Sequence, residues 1–121
     1  GTFPIADIPG LIEGASGGKG LGIKFLKHIE KTKILVHCID CTIIDPMKAY
    51  VTVRKEFEQF NPMLLNKPEI LFLNKTDLID EQKEKEIASL FSILKKKVLS
   101  GSIYKPETID MLKKVLTEEL S

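Results

Sequence analysis

The chain has no tryptophan, only two cysteines, and no excess of either charge: 18 basic against 17 acidic side chains leave a formal +1. Each shortage excludes something. A near-neutral balance argues against a dedicated nucleic-acid binder, whose footprint is strongly basic. Two cysteines cannot build a disulfide framework in 121 residues, so a reducing interior is the expected setting. No apolar run approaches the ~20 residues needed to span a bilayer. The start of the chain lacks the basic, apolar, small-residue order of a secretory signal. These exclusions lead to the expectation of a soluble, intracellular piece. What is present is a 43% apolar composition over a length that suits one domain, residues 1–121, with enough chain to bury a core.

The hydrophobic pattern alternates between strand and helix. Residues 2–6 form a short apolar run that Pro4 confines to an edge. Residues 11–22 are rich in glycine, which predicts mobility. From Leu21 the spacing turns helical, with Phe25, Leu26 and Ile29 on the same face. Residues 34–39 are a continuous apolar run suited to a buried parallel strand.

Asp45 and Pro46 open a second helix with the stripe Tyr50, Val53, Phe57 and Phe60, stopped by Asn61-Pro62. Residues 70–73 read as another buried strand. Asp80 caps a third helix with the face Ile87, Leu90, Phe91 and Leu94, and Lys95, Lys96 and Lys97 suit its C-terminal end. Val98-Leu99 is a short strand candidate, and a last helix from Pro106 buries Ile109, Leu112, Leu116 and Leu120. Such alternation predicts right-handed βαβ units and a parallel sheet covered on both faces. Ligands of such sheets bind beyond the carboxyl ends of the strands, just after Ala6, Ile39, Leu73 and Leu99.

Two of those places carry Asp7-Ile8-Pro9-Gly10 and Asn74-Lys75-Thr76-Asp77. In this order they resemble the D-x-x-G and N-K-x-D motifs of GTP-binding proteins. A carboxylate at Asp7 could hold Mg²⁺ through its waters, and the bare backbone of Gly10 could approach a terminal phosphate. The same four residues would also make an ordinary turn. Asp77 would accept hydrogen bonds from guanine N1–H and its exocyclic amine, whereas adenine presents an acceptor at N1 and is rejected. Asn74 can bridge the base and nearby backbone, and the stem of Lys75 can pack over the ring. The bland reading is a polar loop before a helix, although N-K-x-D should arise by chance in only roughly 1% of chains this long. Ser100-Gly101-Ser102 lies where GTP-binding proteins place a short S-A-like segment against guanine. The register is open between Ser100 and Ser102.

The stretch from Ala6 to Gly22, with residues 25–32, Ile39-Asp40, Asp45-Pro46, Asn61-Pro62 and Leu73-Asn74-Lys75, resembles the G domain of the Obg family of GTPases over essentially all 121 residues. The resemblance implies an α/β, P-loop-NTPase-like parallel sheet flanked by helices. It also implies GTP/GDP binding with Mg²⁺, GTP hydrolysis to GDP and phosphate, and a monomeric, cytoplasmic role in ribosome assembly at the large subunit and in stress control. Residues 11–22 would be its second switch.

Leu11 stands where many GTPases have a water-orienting Gln, so hydrolysis should be slow without help. The Obg family itself carries an apolar residue there. No G-x-x-x-x-G-K-[ST] is present; Gly14 to Gly20 has the wrong spacing and no hydroxyl after Lys19. The expectation is therefore a fragment lacking the first strand, P-loop and first switch, binding nucleotide weakly and hydrolysing nothing alone. With that strand gone, the strand ending at Asp7 should pair directly with the one ending at Asp40, or residues 2–6 should lie loose.

Two other readings compete. One is a non-catalytic module that keeps the scaffold for docking a protein or ribosome partner. The other is a redox or metal protein using Cys38 and Cys41, whose C-x-x-C spacing adjoins His37. His28 is expected to be simply solvated.

Overall fold

The computed structural model describes residues 11–13 and 22–120. Four strands, β1 (Leu11–Glu13), β2 (Leu35–Asp40), β3 (Glu69–Asn74) and β4 (Lys97–Gly101), form one sheet in that spatial order, every pair parallel. The helices are α1 (Ile23–Glu30), α2 (Pro46–Phe60), α3 (Glu81–Ser92) and α4 (Pro106–Leu120), with 3₁₀ turns at Pro62–Asn66 and Thr76–Leu78. This is the expected α/β class. No helix among the described residues is long and apolar enough to cross a membrane.

Strand periodicity divides the core. On one face Ile34, Val36, Cys38, Ile70 and Phe72 pack against Ile109, Leu112, Val115 and Leu116 of α4. On the other, Leu35 meets Leu26 and Ile29 of α1 and Val53 and Phe57 of α2. Further along that face Ile39, Leu71 and Leu73 meet Tyr50 of α2 and Ile87 and Phe91 of α3. Both central strands are covered on both sides, which is why they read as unbroken apolar runs.

The helix starts are set by their caps. Asp45 Oδ1 accepts from Lys48 N at 3.0 Å, and Asp80 Oδ1 from Lys83 N at 2.7 Å, each supplying an acceptor that the first turn lacks. At the far end of α2 the Asn61 side chain accepts from Met63 N and so starts the next 3₁₀ turn.

Three expectations need correction. Residues 11–13, read as part of a glycine-rich loop, are a strand: Leu11 pairs with Val36, Ile12 with His37 and Glu13 with Cys38. The expected pairing of the strand ending at Asp7 with β2 falls on residues 2–6, which lie outside the described residues. Next, α3 stops at Ser92, because Lys95 adopts a positive φ of 56° and turns the chain into β4, so Leu94 packs from beyond the helix and Leu90 is exposed. Finally, Lys96 and Lys97 do not decorate a helix end: Lys97 begins β4.

Lys96 instead reaches a buried carboxylate. Glu69, its side chain wholly buried, accepts from Tyr50 Oη at 2.6 Å, Lys96 Nζ at 2.8 Å and Arg54 Nη1 at 3.4 Å, with His37 Nδ1 also 3.4 Å away. Burial pushes the Glu69 carboxyl up, but hydrogen bonds and charge from His37, with bonds from Lys96 and Tyr50, outweigh it and hold it down at about 2. This cluster ties β2, α2 and the α3–β4 turn to the start of β3.

Candidate functional site

The carboxyl ends of three strands finish level. In the register Asp40 pairs with Asn74 and Asn74 with Gly101, so the last residues of β2, β3 and β4 occupy one rung. The loop leaving each strand is therefore held at one edge of the sheet, where open parallel sheets place their ligands.

Asn74 is buried, and its side chain points back into protein: Oδ1 accepts from Ile103 N at 3.0 Å, fixing the β4–α4 loop to β3. Its carbonyl accepts from Cys41 N at 3.2 Å, fixing the β2–α2 loop as well. Lys75 then takes the left-handed conformation, φ 65° and ψ 29°, which turns the chain into the 3₁₀ segment carrying Thr76 and Asp77. A side chain in that region costs on the order of 1 kcal/mol, offset by the bonds the turn makes possible. Thr76 Oγ1 donates to the Gly101 carbonyl at 3.3 Å, and Leu78 N to the Lys75 carbonyl.

Lys75 Nζ lies 2.8 Å from Asp40 Oδ2, while Asp40 Oδ1 accepts from Thr42 N at 2.9 Å and Thr42 Oγ1 at 2.6 Å. Partial burial pushes the Asp40 carboxyl up, but the bonds from Lys75 and Thr42 and the lysine's charge prevail and hold it below the usual carboxylate range. Asp77 is exposed, with Oδ2 3.9 Å from Lys105 Nζ, a long contact that leaves most of the carboxylate open to a ligand.

At the end of β4, Gly101 has φ +155°, and a Cβ there would lie 2.9 Å from Thr108 Oγ1. Ser100 belongs to the strand and is exposed; Ser102 is buried beyond it. Ser102 N donates to Thr108 Oγ1, and its own hydroxyl accepts from Tyr104 N, both at 3.4 Å. The structure thus brings Asn74, Lys75, Thr76, Asp77, Gly101 and Ser102 together and leaves Ser100 in the body of β4.

Asp7, Ile8, Pro9 and Gly10 lie outside the described residues, and Leu11 is described only as backbone of β1. Among the described residues no three His, Cys, Asp or Glu side chains are grouped to hold a metal ion. Cys38 and Cys41 form no disulfide and face opposite sides of the sheet, one packed under α4 and the other under α2 and α3. Burial, with the charges of Asp40 and Glu84, pushes the Cys41 thiol up to about 11, so it is not a ready thiolate. His28 is exposed on α1. A cavity of about 370 Å³ lined by Glu30, Asn61, Met63, Leu64 and Lys67 opens at the opposite, amino end of the strands, where Lys67 already caps the carbonyls of Glu30 and Thr32.

Sequence reasoning placed the residue after Ile39, Asp40, at this edge but gave it no role, and it missed Thr42, Lys105 and Thr108. The available signal was position: Thr42 and Lys105 stand two and four residues past the ends of β2 and β4. The groups gathered here are an open carboxylate, a fixed lysine and a tight glycine turn, which suit recognition of a flat polar ring with N–H donors on one side.

The family described as 50S ribosome-binding GTPase matches residues 1–75. The chain is 42% identical to GTPase Obg of Coprothermobacter proteolyticus over 123 residues, covering 99% of this chain and 29% of that protein. With GTPase Obg of Pelagibacter ubique the identity is 54% over 88 residues, 73% of this chain and 27% of the relative. With that of Rickettsia massiliae it is 44% over 119 residues, 98% and 36%. The chain spans about a third of the length of these relatives.

Proposed function

This chain belongs to the 50S ribosome-binding GTPase family, and from that premise we propose that residues 1–121 are part of a guanine-nucleotide-binding domain of the Obg type. The observation that carries the reading is the shared rung of Asp40, Asn74 and Gly101. It gathers the N-K-x-D residues with Gly101 and Ser102 into one edge, cross-tied from Thr76 to Gly101 and from Ile103 to Asn74.

In this reading Asp77 accepts from guanine N1–H and the exocyclic amine. An adenine would set its N1 lone pair against the carboxylate and leave a desolvated acceptor unpaired, which is the source of selection. Lys75 lays its aliphatic stem along the ring. Asn74 acts indirectly, by holding the loop that contains Ser102; Ser102 rather than Ser100 supplies the loop contact to the base. Lys105 must give up its long contact with Asp77 when the base arrives, a small cost for two half-exposed groups.

Asp7, Ile8, Pro9 and Gly10 are proposed to face the γ-phosphate. Asp7 is the residue of this chain proposed to hold Mg²⁺ through water, and Mg²⁺ when bound supplies charge neutralisation along the phosphates. For the intact protein the proposal extends to hydrolysis of GTP to GDP and phosphate, slow by itself because Leu11 cannot orient water, and to action as a cytoplasmic monomer at the large ribosomal subunit.

Titrating the ¹⁵N-labelled chain with GDP, and separately with ADP, tests the base assignment. The expected result is amide shifts at residues 74–77 and 100–103 with GDP alone. Equal shifts with both nucleotides would overturn the assignment of Asp77. A second reading as a scaffold for docking has no specific observation in its favour.

A further inference from the structure

Lysine is the most mobile of the groups at this edge, with a long stem and several free rotors, and a mobile stem makes a poor surface for a ring. Here the protein itself supplies a partner that fixes its far end. The Lys75 ammonium reaches from the end of β3 across to β2, 35 residues earlier in the chain, and meets Asp40 Oδ2 at 2.8 Å. The carboxylate itself cannot swing: its other oxygen takes both the backbone N–H and the hydroxyl of Thr42. The side chains of both partners are about one-third exposed, so the pair faces the edge rather than the core.

We infer that Asp40 is a positioning residue for the nucleobase. It anchors the Lys75 ammonium so that the lysine stem stands ready as a platform, with Thr42 locking the carboxylate in turn. The inference rests on the proposed function of this edge. Asp40 touches no base, so it acts on affinity through Lys75 and leaves the choice of guanine over adenine to Asp77. Preorganisation of this kind lowers the ordering cost of binding without adding a contact.

The test is calorimetric titration of the intact protein with GDP and with ADP, using wild type, D40N, K75M, the D40N/K75M double variant and D77N. D40N keeps the shape but removes the charge, and is expected to weaken GDP binding about three- to tenfold. The preference for GDP over ADP should stay unchanged. In the K75M background D40N should weaken binding no further, because the group through which it acts is gone. T42V, which removes one brace and keeps the backbone N–H, should give a smaller loss that also vanishes in K75M. That variant carries the test if D40N fails to fold.

An unchanged GDP affinity in D40N, or an equal loss with and without Lys75, overturns the role of Asp40. If instead D77N leaves both GDP affinity and the GDP preference intact, the base site itself is misassigned and the inference falls with it. The D77N arm therefore separates the two failures.

Discussion

Gly101 sits at φ +155°, and the space a side chain would need is taken by the hydroxyl of Thr108, 2.9 Å from the position of a Cβ. That hydroxyl accepts from Ser102 N, so it cannot simply turn away. Gly101→Ala should therefore strain the backbone and displace the loop together. The expected loss is about 1–3 kcal/mol, read as a lower midpoint of urea unfolding.

Glu69 gives a second prediction at this scale. Its carboxyl is held at about 2 against an ordinary 4.5, so the folded state keeps it ionised. A depressed value contributes stability that is present above pH 4.5 and is lost as pH falls toward 2. Unfolding free energies from urea titration of the wild type should drop across that window, by an amount on the order of 2–3 kcal/mol, and those of Glu69→Gln should drop less. Parallel curves for the two proteins would show that the ionised carboxylate does not supply this stability. The residues of N-K-x-D were legible because their spacing is local. The roles of Glu69 and Asp40 were not, since the partners of Glu69 come from 15 to 32 positions away and the lysine of Asp40 from 35, and periodicity carries no such information.

At the level of elements, α2 was readable end to end: a capping Asp45, a proline in the first turn, a stripe at helical spacing and an Asn-Pro stop are all local signals. α3 was overextended because Leu94 fits its stripe by spacing. The turn at Lys95 that ends the helix depends on a left-handed residue with no glycine to announce it. β1 was hidden because its described residues, Leu11–Glu13, are too few to show a period and run straight into a glycine-rich sequence. Phe72 tests how far the elements depend on one another. It lies fully buried in β3, under α4, and its ring also reaches within 3.5 Å of where a Cβ on Gly101 would stand. Phe72→Ala should cost about 3–5 kcal/mol. Spectra of the variant should show the shifts concentrated in α4 and the β4–α4 loop, leaving α2 nearly unchanged; shifts spread evenly over both faces would contradict the two-sided packing described.

For the molecule as a whole, pairing is uneven across the sheet. Among the described residues β2 and β3 share six rungs, β3 and β4 five, and β1 and β2 three. Amide exchange should be slowest in β2 and β3, each flanked by strands on both sides, and faster in residues 11–13 and in β4. Protection of β1 equal to that of β3 would refute the asymmetry. The α/β class was legible from alternation alone. The proposed ligand edge was legible only as a set of strand ends, because which residues finish level is decided by register.

That register has a consequence for how the molecule can go wrong. Side chains alternate along a strand, so slipping β3 by one residue against β2 would move Asn74 off the rung of Asp40 and, in the same motion, turn Leu71 and Leu73 away from the helices they pack on. A one-residue misalignment of the proposed recognition edge therefore disrupts the interior as well. A copy that has packed its core in this register has, in the same step, levelled the strand ends proposed to meet the ligand.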